Sequence, residues 1–311
     1  MKEGEKKMDE LLNQLLDKDR YTLNEIVNNF QKDIPRFLYK YRSFYNEDGS
    51  KNEYWKDYLL GSFHLSKAIN FEDVNDCKPS FDKEKIIKYI ILNLPINTNE
   101  VTTESKQELS DYIDSVEENY RKYIFIGCFT ASNENKQMWK KYADDHKGFC
   151  IEYDTKKNQR LKDSILRVCY VEEERRRNFV DETDVICKLI KKVFFKSIIN
   201  NISTIEQKNI YSPIFIKTDD WSFEKEYRLF LLEHRTMNDK SMLKRKDVLD
   251  SNNNINLASA VRAIYLGKDF EQNNNYKEIK EQVMEIASKR KISVYKINEN
   301  NECITILNNK E

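Results

Sequence analysis

Carboxylates, arginines and aromatics at short spacing are the residues here with chemistry to offer. The clearest group is WSFEKEYR (221–228). On an extended strand side chains alternate between faces, so Glu224, Glu226 and Arg228 would share one face, with Phe223, Tyr227 and Leu229 turned to the core. Two carboxylates about 7 Å apart on one strand face can divide the work, one orienting a substrate and one taking a proton. The same pattern also fits a solvent-facing charge ladder in which Arg228 is the counter-ion.

Three further blocks stand beside it. In MWKKYADDHKG (138–148), Met138, Trp139 and Tyr142 share a helix face. Such a stripe packs a core or, because Trp and Tyr carry a donor on a flat ring, stacks a planar ligand. In LYKYRS (38–43), Arg42 can fork onto a phosphate or carboxylate, or serve a structural ion pair. Ser66 precedes the segment NFEDVND (70–76), where Asn75 and Asp76 either cap a turn or hydrogen-bond a ligand. The run Arg175–Arg177 follows Glu172–Glu174 and reads as a solvated, self-neutralising face.

What is missing narrows the chemistry. With six glycines there is no Gly-rich phosphate loop, and no G-x-S-x-G elbow occurs. The three histidines, His64, His146 and His234, lack partner spacing, and none of the six cysteines forms a C-x-x-C pair, so no metal is expected and the thiols read as buried and free. Lys plus Arg and Asp plus Glu both number 53, which argues against a protein that mainly coats nucleic acid.

The elements that must position these residues follow from periodicity. Met8, Leu11, Leu12, Leu15 and Leu16 form a helical stripe, and Thr22 with Glu25 starts a second helix as a capping box. Strands are expected at Phe37–Phe44, Ser62–Ala68, Tyr123–Thr130, Phe149–Tyr153, Ile165–Val171, Ile214–Lys217, Glu226–Leu232, Val261–Leu266, Ile292–Ile297 and Cys303–Leu307. Helices are expected around Ile86–Leu94, Leu109–Tyr120, Met138–Tyr142, Ile186–Phe194 and Ile279–Ala287. Strands and helices mix without strict alternation, so the class is α+β, with mixed or antiparallel central sheets flanked by helices. The expected division is a helical N-terminal arm at 1–33, available for homo-oligomer contacts, and one core domain at 34–311. No apolar run approaches the ~20 residues of a membrane span and Met1–Lys7 has no apolar stretch, so a cytoplasmic protein is expected.

Taken in order, LYKYR (38–42), the Phe-x-x-x-Asn-Asp turn (71–76), MWKKYADDHKG (138–148), VCY (168–170) and WSFEKEYR (221–228) resemble the bacterial domain-of-unknown-function family 2971, from about Ile34 to Gly267. The chain departs from that pattern at Cys77, where the family usually has proline. The order of blocks is also similar, distantly, to ADP-ribosyltransferases. That resemblance implies an NAD-consuming transferase or glycohydrolase, of toxin or phage-defence type. Arg42 would hold the nucleotide, Ser66 or Tyr142 would line the nicotinamide pocket, and Glu224 and Glu226 would be the catalytic pair. Trp139 and Arg228 join Arg42, Ser66 and Tyr142 as candidate ligand-binding side chains. Two other readings stay open. One is a non-catalytic sensor of a small nucleotide or peptide. The other is a metal-dependent nuclease using Asp154, Lys156 and Asp76.

Overall fold

The computed structural model describes residues 34–93, 101–184, 186–187, 212–232, 249–300 and 302–308. The expected arm at 1–33 and most of the helix expected from Ile186 lie outside the described residues.

The fold is α+β, built on a mixed, largely antiparallel sheet. Its strands are β1 (Phe37–Arg42), β3 (Ser66–Lys67), β4 (Ile124–Thr130), β5 (Phe149–Asp154), β6 (Ile165–Arg167), β9 (Glu226–Leu232), β11 (Val261–Leu266), β12 (Ser293–Ile297) and β13 (Cys303–Leu307). They lie in the order β13-β12-β11-β5-β1-β4-β9-β6, with β3 on β4, and only β11 and β12 run parallel. Two small ribbons accompany the sheet: β2 (Ser62–His64) with β10 (Asn254–Asn256), and β7 (Cys169–Val171) with β8 (Ile216–Thr218). The described helices are α1 (Trp55–Leu60), α2 (Lys83–Asn93), α3 (Thr103–Lys122), α4 (Lys136–Tyr142), α5 (Gln159–Ser164), α6 (Glu173–Phe179) and α7 (Tyr276–Arg290).

Alternation along the central strands builds two apolar layers. Leu38, Phe129, Phe149, Ile151, Tyr153, Tyr227 and Leu229 face a core shared with Phe63 and with Ile279, Val283 and Ala287 of α7. The opposite face splits: Tyr41, Cys150 and Tyr265 pack under Met138 and Trp139 of α4, while Ile124, Ile126 and Leu166 pack under Phe215 and Phe179. Both faces of β5 are covered, which is why Phe149–Asp154 is buried throughout.

One irregularity of the sheet matters for function. β1 pairs β5 over six register positions and β4 pairs β9 over seven, yet β1 and β4 meet only at Tyr39 and Thr130. Beyond that pair the two strands diverge and leave an opening in the sheet.

Several expected elements form differently. Ser62–Ala68 breaks at Leu65 into β2 and β3, and Ile165–Val171 breaks into β6 and β7, which join different sheets. Arg176 is not a solvated residue of a charge run; it is buried and donates to the Asn75 and Lys78 carbonyls. Cys303 is exposed on the edge strand, against the expectation that the thiols are buried.

Candidate functional site

The opening between β1 and β4 is the floor of a cavity of about 230 Å³. Tyr39, Lys40 and Tyr41 line it from β1, and Cys128, Phe129 and Thr130 from β4. Met138 and Tyr142 close it from α4, Lys217 from β8, and Glu226 from the start of β9. The loop after Asn70 forms the remaining wall with Phe71, Glu72, Asp73 and Asp76. Two buried arginines hold that wall: Arg121 donates to the carbonyls of Ala68 and Asp73, and Arg176 to those of Asn75 and Lys78.

The WSFEKEYR segment reaches the cavity by a different route from a continuous strand. Asp219–Glu224 is a 3-10 helix, Lys225 takes a left-handed conformation at φ 45°, and β9 begins only at Glu226. The Asn135 amide holds the Phe223 carbonyl, fixing that turn against the start of α4. Glu224 and Glu226 therefore meet around a reversal of the chain. They are 6 % and 3 % exposed, which rules out the solvent-facing ladder.

A buried charge network surrounds the pair. Lys217 Nζ donates to Glu224 Oε2 at 2.7 Å and stands 3.5 Å from Asp76 and 3.6 Å from Glu226. Arg228 donates through Nε and Nη2 to the two oxygens of Glu226 at 2.8 and 2.9 Å, and through Nη1 and Nη2 to Asp76 at 2.9 and 2.6 Å. Its Nη1 also reaches the Ile214 carbonyl at 2.8 Å. Removing such charges from water is costly, and only this dense mutual pairing makes their burial tolerable.

The two glutamates are driven apart in proton affinity. Burial alone would raise Glu226, but Arg228 and Lys217 overcome it and hold its carboxyl down to about 2. Glu224 is raised, first by burial and then by the Glu226 charge, with Lys217 and the Tyr142 hydroxyl opposing. Tyr142 OH donates to Glu224 Oε1 at 2.5 Å, and burial followed by that carboxylate pushes the phenol well above its usual range. A carboxylate kept ionised beside one with elevated proton affinity is the pattern of a divided acid–base pair.

The other anticipated residues divide sharply. Tyr142 joins the site. Arg42 does not line the cavity: its guanidinium lies 4.5 Å from the centre of the Tyr58 ring. Trp139 is core; it meets Tyr41 edge-on at 5.0 Å, and its Nε1 donates to the Asn133 carbonyl at 2.7 Å. Ser66 sits in β3 opposite Ile126 and is not a cavity residue. Arg228 shares the face of Glu226 but is sealed, 0 % exposed, beneath the acidic pair. Asp154 is engaged by Arg36 at 3.1 Å and accepts from the Lys156 amide at 3.0 Å, away from the Asp76 cluster. Among the described residues no group of His, Cys, Asp and Glu is arranged to hold a metal ion.

Lys217, Lys40 and Trp221 line the site but have no role of their own in the sequence reading. Lys217 is the single charge in the run IFIK (214–217), and an isolated lysine in a buried strand was the available signal. Lys40 lies two residues before Arg42 in the same strand. Trp221, at the rim, has Lys141 Nζ 4.3 Å and Lys217 Nζ 4.4 Å from its ring centre, and Lys141 also pairs with Glu72 at 2.9 Å.

No helix among the described residues is long and apolar enough to cross a membrane. No curated protein and no solved structure matches the chain. Residues 138–229, which supply Met138, Tyr142, Lys217, Trp221, Glu224 and Glu226, match the family model described as Protein of unknown function (DUF2971).

Proposed function

We propose that the cleft takes the reacting end of a nucleotide, NAD in the first place, and breaks the bond between its base and its ribose. The observation that carries this reading is the opposed proton affinity of Glu224 and Glu226, both of which line one cleft. Breaking an N-glycosidic bond passes through an oxocarbenium-like state, which a fixed, desolvated anion stabilises. Glu226, held ionised and immobile by Arg228, supplies that anion. The bonding electrons leave with the nicotinamide. Water or an acceptor nucleophile adds at the ribose carbon, and its proton passes to Glu224, whose raised affinity suits a general base.

The cavity volume limits what can be enclosed. At about 230 Å³ it lies under the ~300–1,000 Å³ of a typical whole-ligand pocket, so it holds the base and ribose while the remainder of a dinucleotide lies outside. Tyr39, Phe71 and Tyr142 provide flat walls for a ring. The broader expectation belongs to the same reading: a cytoplasmic, NAD-consuming effector of toxin or phage-defence type.

The test is the release of free nicotinamide from NAD by purified protein, followed by chromatography. Glu224→Gln should slow release by roughly 100-fold or more, with circular dichroism confirming that the variant is folded at the assay temperature. If wild-type protein leaves NAD intact, both alone and with lysate as a source of acceptor, the reading is wrong. Stabilisation by NAD without turnover would make the cleft a binding module instead.

A further inference from the structure

Lys217 and Arg228 are both spent on carboxylates, but the third cation of the cleft is not. Among the described residues no hydrogen bond or ion pair engages the Lys40 amine, and its Nζ stands over the Phe63 ring at 6.0 Å. Lys40 is half-buried and lines the cavity beside Thr130, the residue opposite its neighbour Tyr39. Thr130 is 1 % exposed and its Oγ1 has no hydrogen-bond partner. An unmatched amine and an unsatisfied hydroxyl thus belong to residues that line one cavity where β1 and β4 part. A buried polar group left unpaired is costly, and a ligand would relieve that cost.

We propose that Lys40 is an imine-forming residue, which captures the carbonyl carbon of a small aldehyde or ketone in the cleft while Thr130 Oγ1 donates to the carbonyl oxygen. The inference goes beyond glycosidic cleavage and does not depend on it. In the addition step the Nζ lone pair forms the N–C bond, and one amine proton passes by way of the Glu224 carboxylate to the carbonyl oxygen. The second amine proton follows the same route as the C–O bond breaks, so the oxygen leaves as water, the N=C bond closes and Glu224 ends as it began. Glu224, with its raised proton affinity, lines the same cavity.

The amine is suited to the role. Burial, and next the Arg42 charge, lower Lys40 to about 8, while Cys128, Glu226 and Glu224 pull in the other direction. These groups come from β1, β4, β9 and the 3-10 helix. A neutral fraction near one half at pH 8 is what a nucleophilic lysine needs.

The experiment treats the whole protein with glycolaldehyde and sodium cyanoborohydride at pH 8, then quantifies alkylation of each lysine by peptide mass spectrometry. The exposed Lys88 and Lys106 serve as internal references. Lys40 should be alkylated at least about tenfold faster than either, because lowering an amine raises its share of free base at that pH. Thr130→Val should slow Lys40 several-fold and leave the references unchanged. Labelling of Lys40 no faster than Lys88 and Lys106 overturns the proposal, and an unaltered rate in Thr130→Val removes Thr130 from it. Neither readout involves NAD, so failure here is distinct from failure of the glycosidic reading.

Discussion

Arg228 and Asp76, 152 residues apart in the chain, form a two-pronged ion pair at 2.9 and 2.6 Å in which neither side chain is more than 1 % exposed. It ties the loop wall of the cleft to its floor. Arg228 also grips Glu226, so one guanidinium sets both the geometry of the loop and the ionisation of a site carboxylate.

Arg228→Met should therefore destabilise the fold by about 3–5 kcal/mol, since it leaves two buried carboxylates with only Lys217, already bound to Glu224, for a counter-ion. Urea unfolding monitored by circular dichroism measures the loss. A cost under 1 kcal/mol would mean that the network is not closed as described.

Acid should weaken the protein through Glu226. Its carboxyl is lowered from 4.5 to about 2 in the folded state, so its contribution is fully present above pH 4.5 and disappears as the pH falls through 2. A shift of that size corresponds to roughly 3 kcal/mol. The urea midpoint of the wild type should fall across this window more steeply than that of Glu226→Gln, and parallel slopes would refute the assignment.

Tyr142→Phe removes the hydroxyl that donates to Glu224 Oε1. That bond favours the charged carboxylate, so its loss should raise Glu224 further and shift the acidic limb of any pH–rate profile upward, at a stability cost of about 1 kcal/mol. An acidic limb that stays in place would separate Glu224 from the proton transfer.

Gly267→Ala probes the scaffold and leaves the site side chains untouched. A Cβ there would lie 1.9 Å from the His146 carbonyl oxygen, a backbone atom that cannot swing aside. The Asp144–His146 turn, whose three residues all have positive φ, would have to move with it. The expected loss is at least ~1–3 kcal/mol, seen as a lower melting temperature, with any cleft chemistry retained below the melt.

Local pattern sufficed for the secondary elements whose periodicity is unbroken. Ile124–Thr130, Phe149–Asp154, Val261–Leu266 and the helix Tyr276–Arg290 form where alternation or a 3.6-residue period places them, because each buries a full face. The α+β class follows from their order, and the acidic segment 221–228 was visible as the residues with chemistry to offer. Tertiary structure decided which of those residues share a space. Lys225 reverses the backbone between Glu224 and Glu226, a left-handed residue that alternation does not foresee. The divergence of β1 from β4 after one register pair opens the cavity, and it selects Lys40 while leaving Arg42 against Tyr58. Asp76, Lys217 and Arg228 come together only through long-range packing. A buried charge can choose its partner only once the fold has removed the water that would otherwise solvate both.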